Sequence, residues 1–165
     1  MPIVVRTPTP GDADAVGRVH YTCWRETYTG LPDEFWAQFT LERRLELWRA
    51  LTTQPRPGAV AALAEVDDEI VGLAVSLNAR AEDDESAPPR HRELASLYLL
   101  RKHQGSGLGQ ALLDAVLDPD EPAMLWVADP NPRAQAFYRR NRFVPDGRRS
   151  TFGPAPGVPE LRMVR

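Results

Sequence analysis

Gly105, Gly107 and Gly109 alternate with Ser106 and Leu108 directly after a basic stretch, Arg101-Lys102-His103-Gln104, and this spacing suits the capture of an anion. Glycine has no Cβ, so a phosphate can lie directly against the backbone at each of these positions. Leu97-Tyr98-Leu99-Leu100 before the turn reads as a buried strand, and Ala111-Leu112-Leu113 after it as the start of an amphipathic helix. A strand-to-helix turn of this kind offers unpaired backbone N–H groups, and the helix end adds partial positive charge. Each favourable charge contact there is worth roughly 0.3–1 kcal/mol.

The rest of the chain has to hold this turn in place. Its 165 residues, 42% hydrophobic and 26% charged, are ordinary for a soluble globular protein and most simply form one domain over residues 1–165. A net charge of −3 gives no general attraction to nucleic acid or to an anionic membrane, and neither is expected as a partner. No apolar run approaches the ~20 residues of a bilayer span, and Met1-Pro2-Ile3-Val4-Val5-Arg6 lacks a signal-peptide layout. Cys23 stands alone, which excludes an intrachain disulfide and suits a reducing, cytoplasmic setting. His20, His91 and His103 lack the spacing of a metal site, so no metal is expected.

Strands are predicted at Ile3–Arg6, Val60–Val66, Glu69–Leu77, Glu93–Leu100 and Ala123–Ala128, with short ones at Phe143–Pro145 and Leu161–Arg165. Asp67-Asp68 joins the second and third as an antiparallel hairpin. Thr9-Pro10-Gly11-Asp12 resembles a capping box with proline at the first helical position, opening a helix that reaches about Tyr28 before Gly30 and Pro32 stop it. A second helical stretch covers Glu34 to Leu51, with Thr40 a candidate new N-cap inside it. Gln54-Pro55-Arg56-Pro57-Gly58 breaks the chain, and Arg80 to Arg92 is polar, acidic and proline-containing, so it reads as an exposed loop. Further helices run from Gly105 to about Leu117 and from Pro132 to Arg140, the latter capped by Asn131. The order β-α-α-β-β-β-α-β-α-β-β makes an α/β (α+β) sandwich around a mixed sheet.

Two nucleotide templates fail at the glycine turn. A P-loop needs Lys followed by Ser or Thr after its last glycine, where this chain has Gln110-Ala111. The dinucleotide fingerprint needs a small residue where Gln110 or Leu112 stands, and it opens a repeating βαβ array. What remains is Gln104-x-x-Gly107-x-Gly109, which resembles the acetyl-CoA binding segment of the GCN5-related N-acetyltransferase (GNAT) superfamily. Glu93-Leu94-Ala95-Ser96-Leu97-Tyr98-Leu99 resembles the strand before that segment, and Asn131-Pro132-Arg133-Ala134-Gln135-Ala136-Phe137-Tyr138 the helix after it. Val19 to Gly30 is similar to a first helix of its small-molecule members, and Glu160 to Arg165 to their last strand. Two positions depart from the pattern: Arg101 stands where proline is usual, and Arg142 where glycine precedes the Phe143 equivalent. Asn141 is expected to take the left-handed conformation in place of that glycine.

The resemblance implies a mostly antiparallel central sheet flanked by helices, and acetyl-CoA as co-substrate with pantetheine slotted between two diverging strands. It implies cofactor contacts at Leu97, Leu99, Gln104, Gly105, Ser106, Gly107, Leu108, Gly109, Gln110, Asn131, Ala134 and Tyr138. Tyr138 matches the family's thiolate-protonating tyrosine, and Arg101, Lys102, Arg139 and Arg140 are candidates to meet a 3′-phosphate. Trp24, Arg25 and Tyr28 occupy the region that often walls the acceptor pocket. Alternation places Glu93 on one strand face with Ala95, Leu97 and Leu99, either as a base for the incoming ammonium or as a solvated strand-end carboxylate. His20, Tyr21 and His91 are further candidates for that role, His103 is expected beside the phosphates or in water, and Cys23 reads as a small buried residue. The expected activity is acetyl transfer to a primary amine of a small molecule or peptide; the alternatives are a non-catalytic acyl-CoA sensor and a nucleotide-binding regulator. Family members are often homodimers.

Overall fold

The computed structural model describes residues 2–153 and 157–165; of the residues named above, only Met1 lies outside them. The chain runs β1 (Ile3–Arg6), α1 (Ala13–Thr27), α2 (Asp33–Gln38), α3 (Leu41–Thr53), β2 (Val60–Val66), β3 (Glu69–Asn78), β4 (Arg92–Leu99), α4 (Leu108–Val116), β5 (Ala123–Ala128), α5 (Pro132–Arg140), β6 (Val144–Phe152) and β7 (Val158–Val164). The capping box forms: the Thr9 N–H donates to Asp12 Oδ2 at 2.7 Å, and a single 3-10 turn, Pro10–Asp12, leads into α1. Thr40 does interrupt the second helical stretch, its Oγ1 accepting from the Arg43 N–H at 3.3 Å, so two helices stand where one run of apolar periodicity was read.

One seven-stranded sheet, ordered β1-β2-β3-β4-β5-β7-β6, collects all the strands. Every neighbouring pair is antiparallel except β4 and β5, which α4 connects as a crossover. Asp67 and Asp68 both take positive φ, the conformation a two-residue hairpin turn demands. The helices α4 and α5 cover one face, where Leu108, Leu112, Leu113 and Tyr138 pack on Ala62, Leu94, Leu125 and Val127. On the other face α1 and α3 bring Val16 and Trp48 against Leu73 and Val75. Beside them α2 closes an aromatic cluster of Trp24, Phe35 and Phe39 over Ala128 and Val158.

The final hairpin is longer than its sequence suggests. β6 extends to Phe152, and β7 starts at Val158. Nearly all of β6 is solvent-exposed on the sheet edge, so it lacks the alternation that marks a half-buried strand. Arg142, not Asn141, takes the left-handed conformation after α5, at φ 68° against −95° for Asn141. Arg142 is held there by the Pro119 carbonyl and by Asp120 at 2.9 Å.

Candidate functional site

Two irregularities in β4 shape the centre of the molecule. Val75 pairs with Ser96 and Ser76 with Leu94, which leaves Ala95 as an unpaired bulge residue. Pairing between β4 and β5 covers only Arg92–Leu94 against Ala123–Leu125, and beyond that point the strands separate. The Leu100 N–H donates to the Val71 carbonyl on β3, so the two-residue alternation turns the backbone groups of Leu99 and Leu97 away from β3, toward the opening. Gln104 Nε2 donates to the Leu99 carbonyl at 3.1 Å and so occupies one of them.

The glycine turn lies at the end of β4. Gly105 and Gly107 have φ of 83° and 88°, values that glycine adopts without strain. Among the described residues the amides of Gly105, Ser106, Gly107 and Gly109 have no partner, whereas those of Gln104 and Gln110 already donate to Arg101 and Gly107 carbonyls. The Leu108 amide has only Ser106 Oγ at 3.5 Å, and the Gln110 side chain is tied to Asp114 and Asn141. A Cβ on Gly107 would point into open space, and one on Gly105 would lie 3.9 Å from the Arg133 guanidinium. The turn is therefore an uncovered ring of donors with a cation beside it, and its chemistry fits a pyrophosphate. Arg133 carries no motif signal; only the packing of α5 beside the turn brings it there. Arg101, by contrast, is bound to the C-terminal end of α1 through Glu26 and is not free for a phosphate. Lys102, Arg139 and Arg140 are exposed. His103 is half-buried, with Nε2 unpartnered and out of reach of bulk water.

Tyr138, 8% exposed, projects from α5 between Phe137 and Phe143. Burial, then the nearby Tyr28, push its hydroxyl well above the ordinary tyrosine value, so it stays protonated at neutral pH. Asn131 caps α5, its Oδ1 accepting from the Ala134 N–H at 3.2 Å, which accounts for Asn131 structurally and leaves Ala134 half-buried. Tyr98 on β4 feels Tyr28, Tyr138 and Glu160 and is raised well above the ordinary value, chiefly by burial. Burial and Glu160 push Tyr28 up to about 12 against an opposing hydrogen-bond interaction with Tyr98. The three side chains thus converge from the residue that ends α1, from β4 and from α5.

The bulge at Ala95 moves Glu93 to the face opposite the one expected. Leu94, Leu97 and Leu99 share the α4 face, and Glu93, paired with Leu77, lies on the α1 face with Tyr98. That face also carries Glu160 of β7, which pairs with Ala128. Burial first and then Glu82 raise the Glu93 carboxyl, with Arg80 acting against them. Burial, followed by Glu93 and Glu82, pushes Glu160 up to about 7. Glu82 comes from the segment Arg80 to Arg92, read from the sequence as an exposed loop. In fact Asp84 pairs with Arg148, and Glu85 with buried Arg162 at 2.8 Å, which pins the loop over this face. Glu160 was not singled out in the sequence, since nothing there marks it as neighbour to Glu82 and Glu93.

A carboxyl raised by folding stabilises the native state while it is protonated. That contribution is complete below the unfolded value near 4.5 and is lost as pH rises through about 7. Glu160→Gln is therefore expected to melt above the wild type at pH 8, with the difference closing by pH 5. Equal melting temperatures across that range in a calorimetric series contradict the burial of Glu160.

The other candidates are placed as follows. Trp24 is buried in the aromatic cluster, with the Tyr28 ring tilted against it at 4.5 Å and with Nε1 unpartnered. Arg25 lies over the Trp36 ring at 4.3 Å, and Tyr21 meets the same ring edge-on. His91 is exposed. His20 is buried and accepts from Trp48 Nε1 at 3.0 Å; burial, with Arg44, depresses it to about 3, which removes it as a base at neutral pH. Burial and Glu26 raise the Cys23 thiol to about 12, leaving an inert residue. No group of metal-ligating side chains and no helix long and apolar enough to cross a membrane occurs among the described residues.

A relative in Mycobacterium tuberculosis named "Probable N-acetyltransferase Rv2775" is 27% identical over 159 residues, covering 94% of this chain and 88% of that protein. Among solved structures, the PaiA N-acetyltransferase of Thermoplasma acidophilum in complex with coenzyme A is similar at 18% identity and a TM-score of 0.64, covering 98% of both chains. Salmonella typhimurium yncA, solved with its cofactor acetyl-CoA, is similar at 18% identity and a TM-score of 0.69, covering 100% of this chain and 94% of that one. These two likenesses concern the fold. Residues 20–143 match the family model described as Acetyltransferase (GNAT) family, and the chain belongs to that family.

Proposed function

We propose that the protein transfers an acetyl group from acetyl-CoA to a primary amine, by direct attack of the amine on the thioester. The separation of β4 from β5 beyond Leu94 and Leu125, with the uncovered glycine turn at its end, carries this reading. When bound, acetyl-CoA supplies an activated acetyl thioester. The amides of Gly105, Ser106, Gly107 and Gly109 would hold its pyrophosphate with Arg133 beside them, and the Leu97 and Leu99 backbone would pair with pantetheine. The reaction forms a C–N bond and breaks a C–S bond; starting from the ammonium, two protons leave nitrogen, one to a carboxylate and one that replaces the proton Tyr138 gives to the sulfur. Glu93 and Glu160 attract the substrate ammonium and take up its proton, directly or through water. Tyr138 donates its hydroxyl hydrogen toward the departing sulfur. Trp24 and Tyr28 wall the amine's approach.

Glu93→Gln tests the acidic face. Removing the base is expected to lower kcat/KM for the amine by about 100-fold while leaving the KM for acetyl-CoA unchanged. Wild-type kcat/KM should rise with pH as the two carboxyls, both raised above their usual value, ionise; the variant should keep only the part of that rise that belongs to Glu160. A variant with the wild-type rate and pH profile removes Glu93 from the mechanism.

A further inference from the structure

A cavity of about 140 Å³ opens above β3 and β4 at the Ala95 bulge, beneath α1 and α3. Trp48, Leu51 and Leu77 give it apolar walls, Ser96 lies on its floor and Arg56 lines it from the loop after α3. Among the described residues no carboxylate lines it. Its one buried polar side chain is His20, 3% exposed. Trp48 Nε1 is a donor only, so Nδ1 of His20 accepts, and the neutral ring carries its proton on Nε2. No acceptor meets that Nε2–H among the described residues. The cavity adjoins the amine site: Leu77 is the pairing neighbour of Glu93, and the Tyr98 ring stands 5.0 Å from His20. A void of about 150 Å³ with apolar walls accommodates benzene.

We propose that this cavity is the side-chain subsite of the acceptor, taking a ring-sized apolar group that carries a hydrogen-bond-accepting oxygen for His20 Nε2–H. The acceptor class is then an arylalkylamine with an oxygen on its ring. A second ammonium is disfavoured by Arg56 and by the absence of acid in the lining. The assignment rests on amine acetylation as the activity.

Two measurements separate the proposals. Ligand-detected NMR with para-ethylphenol, which has no amine, reads the cavity alone; binding is expected, and loss of it in Leu51→Trp, where the half-buried α3 position fills the space. Kinetics with tyramine, phenethylamine and ethylamine read the subsite in turnover. Tyramine should exceed ethylamine in kcat/KM by at least about tenfold, and Leu51→Trp should abolish that preference with ethylamine turnover unchanged. His20→Gln, which keeps an N–H donor, should retain more of the tyramine-over-phenethylamine preference than His20→Leu. Acetylation of all three amines at similar rates, with no para-ethylphenol binding, overturns the subsite and leaves acetyl transfer standing. Para-ethylphenol binding that Leu51→Trp abolishes, with no amine acetylated, supports the cavity and overturns the activity on which its role depends.

Discussion

Tyr138→Phe is expected to lower kcat by about 100-fold or more while acetyl-CoA binds as before. The substitution removes one oxygen and leaves the ring against Phe137 and Phe143, so packing of the α4–α5 face survives. The hydroxyl is less acidic than an ordinary tyrosine because it is buried, with Tyr28 adding to the effect. An ordinary thiol titrates near 8.5, so full proton transfer from such a tyrosine looks uphill. The same apolar site raises a departing thiolate as well, and a hydrogen bond donated as negative charge develops on sulfur needs no prior ionisation. The expected pattern is therefore a fall in kcat with KM for acetyl-CoA held within about twofold, since the interaction strengthens only as the bond breaks. A kcat unchanged in Tyr138→Phe assigns Tyr138 to packing.

Gly107→Val is expected to abolish coenzyme A binding, measured by calorimetry as a loss of at least about 100-fold in affinity. Beyond its two chain neighbours, no atom of the described residues lies within 4 Å of where a Cβ would stand at Gly107, so the new side chain would enter the uncovered space over the donor ring. The φ of 88° adds backbone strain for any L side chain, of roughly 1–2 kcal/mol. Gly109→Ala separates the two effects. Its φ is ordinary and its Cβ meets only Phe137 at 3.8 Å, so it strains nothing and narrows the cradle slightly. A folded Gly107→Val protein with wild-type affinity for coenzyme A would contradict the cradle.

Most of the fold was legible because its signals are local. Asp67-Asp68 between two β-like runs, Thr9 to Asp12, and Asn131-Pro132 each name a turn or a cap through their own side chains. β6 was shortened because an exposed edge strand carries no apolar alternation. The face of Glu93 was misjudged for a different reason. Period-two reasoning assumes a regular strand, and Ala95 is an inserted residue that nothing in the sequence marks. The turn at Gly105 and Gly107 was legible, since glycine takes a positive φ without strain. Arg133, Glu160 and the loop that brings Glu82 inward were not, because each is placed by a contact between distant segments, such as Arg162 with Glu85. The same holds for Arg101, whose charge suggested a phosphate and whose partner is Glu26.

Thiol release from acetyl-CoA, followed together with the mass of the amine, reads the acetyl transfer itself. Free thiol is expected only when a primary amine is present, in step with the gain of one acetyl group on that amine. Protein that binds acetyl-CoA at the glycine turn yet releases no thiol with any amine contradicts it, and identifies an acyl-CoA-binding protein without catalysis.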